Sequence, residues 1–273
     1  MQILPVIVVG YSSITVGEGF HLFTATFEDC AGDEYKLNDI KILNEDGTPW
    51  DVQSTTETAC FITKMTTDGK GAYDSTKMYN YCHYYRAKPT VLDRGLGWYV
   101  GAGNTERVTD DITIKNGEGI SINNTAGKTI KLQFSGAVTL TGRSCKVGTG
   151  YSLVGNLTPV EIKLNEVVIL KDDGTPWDVQ STTETACFIT KMTTDGKGAY
   201  DSTKMYNYCH YYRAKPTVLD RGLGWYVGAG NTERVNDDIT IPAGEAVSIN
   251  NTSGADIIVV FPSPIAPKEV PAE

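Results

Sequence analysis

The chain of 273 residues carries 33 acidic against 24 basic side chains, a formal charge of −9, and 40% of it is hydrophobic. No basic stripe is present to displace counterions from phosphates or to hold an anionic lipid surface, which excludes nucleic acid as a partner. No run approaches the roughly 18 consecutive apolar residues of a spanning helix, so no membrane span is expected.

The opening residues MQILPVIVVGY lack a charged n-region and a small-residue cleavage site, and read as the start of a mature or trimmed chain. Within them Val6, Ile7, Val8 and Val9 form an apolar run that needs cover on both faces. FHLFTATF follows from Phe20, then ACFITKM from Ala59, KMYNYCHYY from Lys77, GWYV from Gly97 and DITI from Asp111. Asp46-Gly47, Asp68-Gly69 and Asn116-Gly117 supply turn signals between them. Short runs rich in Val, Ile, Thr, Phe and Tyr, bounded this way, read as strands. No window shows a helical apolar stripe over three turns. The expected fold class is all-β.

Residues Asp46 to Val108 then reappear letter for letter as Asp173 to Val235, an offset of 173 − 46 = 127. The match continues, with divergence, into GEGISINNTAGKTIKLQF from Gly117 against GEAVSINNTSGADIIVVF from Gly244. Ahead of the block TVGEGFHLF from Thr15 aligns with KVGTGYSLV from Lys146, an offset of 146 − 15 = 131, so the first copy holds extra residues near Asp29 to Asp33. A fixed long period predicts an array of like units. The expectation is two tandem β-sandwich, jelly-roll-like domains, residues 1–137 and 138–273, the second ending in a Pro-rich tail. FSGAVTLTG runs through the boundary without a flexible linker, which suggests a strand that leaves one unit and enters the next.

Pairing the strands around Gly71 places Cys60 opposite Cys82, with Phe61 opposite Tyr81, and the copy repeats this with Cys187 and Cys209. Cross-strand neighbours lie near disulfide geometry, so a bridge is expected in each unit, the alternative being small buried thiols. Cys30 and Cys145 fall outside the shared pattern and are left to pair with each other or with a neighbouring chain. Six cysteines in three candidate pairs suit an oxidising compartment.

Catalytic chemistry is sparse. His83 and its copy His210 lie in the strand MYNYCHYY without a nucleophile elbow, a metal-binding helix or a CxxC pair beside them. The acidic pairs Asp110-Asp111 and Asp237-Asp238 lack the alternating ladder of a calcium loop. No catalytic residue, metal or cofactor is expected. The two-residue period of a strand puts Tyr79, Tyr81 and Tyr85 on one face, and Tyr206, Tyr208 and Tyr212 in the copy. Such a face either stacks on sugar rings or fills a core. Asn123, Asn156 and Asn250 begin glycosylation sequons.

The ends carry a sharper expectation. Pro5 to Tyr11 align with the junction strand Gly136 to Gly142, while prolines interrupt the chain after DIIVVF. A next molecule's Val6 to Val9 strand is thus expected to dock on an open edge, reproducing the junction between chains head to tail, the alternative being that Val6 to Val9 is an ordinary inner strand of its own unit. GWYV, DITI, GEAVSINNTSGADIIVVF, VGTGYSLVGNLTP and IKLNEV together resemble the repeated β-rich modules of secreted and surface proteins of some bacteria. That resemblance implies an extracellular or cell-surface location and a structural or adhesive role. The reading is a non-enzymatic subunit of a self-assembling filament or lattice, with copies of itself as partners. The alternative is a bivalent carbohydrate-binding adhesin whose duplicated aromatic faces bind glycans.

Overall fold

A computed structural model describes residues 9–27, 34–54, 57–84, 93–101, 103–137, 143–181, 184–211 and 220–263. The protein is all-β. In the first half run β1 (Val9–Val16), β2 (Gly19–Phe23), β3 (Glu34–Lys36), β4 (Lys41–Asn44), β5 (Gln53–Ser54), β6 (Cys60–Met65), β7 (Tyr73–Tyr84), β8 (Gly95–Val100), β9 (Glu106–Arg107), β10 (Thr113–Lys115), β11 (Ile120–Asn124) and β12 (Ile130–Ala137). In the second run β13 (Arg143–Val147), β14 (Gly150–Gly155), β15 (Ile162–Lys163), β16 (Val168–Lys171), β17 (Gln180–Ser181), β18 (Cys187–Met192), β19 (Tyr200–Tyr211), β20 (Gly222–Val227), β21 (Glu233–Arg234), β22 (Thr240–Ile241), β23 (Ala246–Asn251) and β24 (Ile257–Phe261). Among the described residues the helices are two 3₁₀ turns, Leu37–Asp39 and Leu164–Glu166, and none is long and apolar enough to cross a membrane.

Strand pairing follows the sequence period. β12 reads IKLQFSGA with Ile130, Leu132 and Phe134 fully buried and the residues between them partly or fully exposed, the alternation of a sheet with one wet face. It is the centre of the antiparallel sheet β1-β12-β4, and β24 is the centre of β13-β24-β16. Larger sheets run β2-β11-β6-β7-β8-β9 and β14-β23-β18-β19-β20-β21, with β5 and β17 added parallel to β7 and β19. Each small sheet packs on a large one in a sandwich-like manner. In the first half Ile42, Ile130, Leu132 and Phe134 meet Ile62, Tyr79, Tyr81, Trp98, Ile120 and Ile122. The second core, Cys145 to Phe261, is drawn wholly from the second half. Burying each large aliphatic or aromatic side chain stabilises by about 1.5–3 kcal/mol over leaving it in water, so this is where the fold gains most.

The β6–β7 register corrects the disulfide expectation. Cys60 faces Tyr81, Phe61 faces Asn80 and Ile62 faces Tyr79, one residue away from the pairing around Gly71. The turn closes with Met65 opposite Tyr73, and an irregularity then lets five residues of β7 pass two of β6 before Thr63 meets Met78. A one-residue slip exchanges faces. Cys60 therefore enters the core, whereas Cys82 packs against Tyr99 on the other side of the sheet. β18–β19 repeats the register with Cys187 opposite Tyr208, which separates Cys187 from Cys209. All five described cysteines are free and buried, including Cys145, while Cys30 lies outside the described residues.

Candidate functional site

The edge strands β2 and β14 of the two large sheets are not left open. The Phe20 amide donates to the Gly196 carbonyl at 2.8 Å and the Thr24 amide to the Gly244 carbonyl at 2.9 Å. The Tyr151 amide donates to the Gly69 carbonyl at 2.8 Å and the Gly155 amide to the Gly117 carbonyl at 3.2 Å. Residues 20 and 24 map onto 151 and 155 by the offset of 131, and 69 and 117 onto 196 and 244 by the offset of 127. Each half thus gives the other what it receives, the signature of a two-fold, isologous contact. Tyr73 and its copy Tyr200 meet hydroxyl to hydroxyl at 2.8 Å, as equivalent residues do on such an axis. Around them Leu22, Leu153 and Ala246 are buried, with Met65 and Met192 packed alongside.

Local sequence explains how the backbones approach so closely. Gly69 and Gly196 sit in Asp-Gly turns at φ 71° and 70°. A Cβ on Gly69 would lie 2.5 Å from the Thr149 carbonyl oxygen, and one on Gly196 equally close to that of Glu18. Glu118 and Glu245 bridge to Val154 and Phe23 of the opposite half. Their carboxylates are held by Lys64 and Lys191, each at 3.0 Å. Two clefts of about 270 and 570 Å³ flank the seam. The smaller is lined by His21, Leu22, Met192 and Glu245, the larger by Met65, Glu118, Ser152 and Leu153, so the bulky His21 of one is the small Ser152 of the other.

A second arrangement occurs once in each half. His83 is buried at the end of β7, its Nδ1 2.6 Å from Asp51 Oδ1 and its Nε2 2.9 Å from Asp93 Oδ1. His210 repeats this with Asp178 at 2.5 Å and Asp220 at 2.9 Å. Only the imidazolium donates from both nitrogens. Burial opposes its charge, but the hydrogen bonds and charges of Asp51 and Asp93 outweigh burial and raise the His83 pKa; Asp178 and Asp220 do the same for His210. With both nitrogens engaged, neither histidine is placed to take a proton from a substrate. Each ties together three segments of its own half.

The remaining expectations divide. Tyr79, Tyr81, Tyr206 and Tyr208 are at most 7% exposed and belong to the cores, so they form no sugar-stacking platform. Tyr81 is wedged edge-on between Trp50 and Trp98. Tyr85 and Tyr212 lie outside the described residues. So do Val6, Ile7 and Val8, whereas Val9 pairs with Ala137 of its own half. Of the expected through-going strand FSGAVTLTG, residues 134–137 belong to β12 in the first half's sheet and 138–142 lie outside the described residues, while β13 begins at Arg143 in the second half's sheet. Asn156 is fully buried and donates to the carbonyls of Val160, Ile241 and Pro242, which closes that sequon to glycosylation in the folded protein. Asp110 bonds Asn38 and pairs with Lys36, Asp237 bonds Asn165 and pairs with Lys163, and no described cluster of His, Cys, Asp or Glu is arranged to hold a metal. Asp51, Asp93 and the seam residues were not singled out by sequence, because nothing in their spacing reveals who faces them. No family model, curated protein or solved structure matches this chain.

Proposed function

We propose that the protein is a non-enzymatic structural subunit of a self-assembling surface filament or lattice, built from two jelly-roll-like sandwich modules. The observation that carries this reading is the seam itself: two modules recognise each other through main-chain hydrogen bonds at sheet edges, the mode by which β-proteins add strands from another chain. Further edges are present for the same use. Among the described residues β1 and β4, and likewise β13 and β16, each pair with a named strand on one side only. Tyr11 on β1 is 77% exposed. A two-fold seam closes on itself, so growth from chain to chain uses these outer edges, the N-terminal strand of one molecule meeting the edge of the next.

Extracellular placement rests on the resemblance to secreted bacterial modules, since free, separated cysteines lend no support to an oxidising compartment. The adhesin alternative loses its described aromatic faces to the cores. Negative-stain microscopy of native material is the test, with polymers expected. Deleting residues 1 to 10 is expected to abolish them. Monodisperse particles from the intact chain at high concentration, or polymers that survive the deletion, would overturn the strand-mediated version.

A further inference from the structure

At the seam residues meet their own equivalents: Thr24 meets Gly155, Gly119 meets Ala246, and Tyr73 meets Tyr200. The tyrosines are identical, but the other two pairs are not, and in both a glycine faces a residue with a Cβ. A Cβ on Gly155 would overlap the Cβ of Thr24, and the nearest atoms it meets all belong to Thr24. A Cβ on Gly119 would lie 2.8 Å from the Ala246 Cβ and 2.7 Å from the Leu153 Cβ. Neither glycine has a left-handed φ, so its own half does not require it there. The need for glycine arises across the seam.

We infer that these positions form a pairing code: the first half accepts the second and rejects a copy of itself, and the second half does likewise. Two first halves set Thr24 against Thr24, and two second halves set Ala246 against Ala246. Each like pairing meets a clash between Cβ atoms that no rotamer relieves. Only the unlike pairing puts a hole opposite each bump, which is specificity by exclusion of the wrong partner. The partner this surface fits is therefore the complementary half, in the same chain or in a second copy. This inference rests on the same seam as the filament reading but needs no polymer, so native material without polymers would leave it standing, whereas a seam that does not form would overturn it.

The test uses the whole chain. Gly155→Thr places Thr against Thr and is expected to open the seam, so the Phe20 and Tyr151 amides exchange with solvent about tenfold or more faster. Small-angle scattering should then report a longer particle. Combining it with Thr24→Gly moves the bump to the other side and is expected to restore wild-type exchange and dimensions. Circular dichroism and core tryptophan emission verify folding of both variants. Wild-type exchange in Gly155→Thr would overturn the code. A folded double variant that stays open would overturn it as well. If the single variant does not fold, Gly119→Ala with and without Ala246→Gly makes the same comparison at the second pair.

Discussion

A histidine flanked by two carboxylates ties its stability contribution to pH in a defined direction. His83 and His210 have pKa values raised above 6.5, so their contribution is fully present below 6.5 and is lost as pH rises through the raised folded value. Asp93 and Asp220 are held below 3.8, chiefly by the amides of Gly95 and Gly222, so their contribution is present above 3.8 and is lost as pH falls through the lowered value. The melting temperature of the wild type should therefore fall between about pH 5 and about pH 9 by more than that of a His83→Gln, His210→Gln variant. Equal pH profiles would show that the clamp does nothing. Cysteine chemistry is as definite. Burial pushes Cys82 and Cys209 up to about 11 and Cys145 up to about 12, and Cys60 and Cys187 higher still. Because the thiolate is the nucleophile, a thiol reagent at pH 8 should leave all five unlabelled in the native protein and label all six cysteines in denaturant. Peptide mapping should find no Cys60–Cys82 link. Residue identity made both groups visible in sequence, but spacing did not mark their partners: Asp51 and Asp93 stand 32 and 10 residues from His83.

At the scale of elements, period and turn chemistry made the strands legible. β12, β24 and the hairpin of β6 and β7 lie where alternation and Asp-Gly signals place them. Register was not legible, because the irregularity that shifts β7 past β6 leaves no mark in composition, and one residue of slip moved Cys82 to the wrong face. Core anchoring at Trp98 shows what holds the elements once paired. Its indole donates to the Ile40 carbonyl at 3.2 Å, linking β8 to the turn before β4, and Trp225 does the same to Val167 at 2.8 Å. Both side chains are about 1% exposed. Trp98→Ala should cost about 3–5 kcal/mol from lost transfer and the cavity left behind. Trp98→Phe should cost less, about 1–3 kcal/mol, through the carbonyl left without its donor. Urea unfolding followed by circular dichroism measures both, and a smaller loss for alanine than for phenylalanine would contradict this account.

For the whole molecule, repetition was the feature most open to sequence, and the symmetry relating the copies was the least. Identity over residues 46–108 and 173–235 says that two units share a surface but not whether they touch. The two-fold seam makes a prediction that the identical blocks themselves can report. Ile62 lies between Ile122 and Tyr79, and Ile189 between Ile249 and Tyr206, so the same neighbours surround both. Their amide and methyl resonances should nearly coincide, and His83 and His210 should titrate as one curve. Gly71 instead packs on the ring of Tyr151, whereas Gly198 packs on that of Phe20. Equal letters there meet unequal partners, and ring currents should split the two glycine signals clearly. Coincidence in the cores with splitting confined to the seam requires both a shared fold and this mode of contact. Splitting spread evenly over the block would mean that the halves differ inside, and coincidence of Gly71 with Gly198 would mean that the seam does not form.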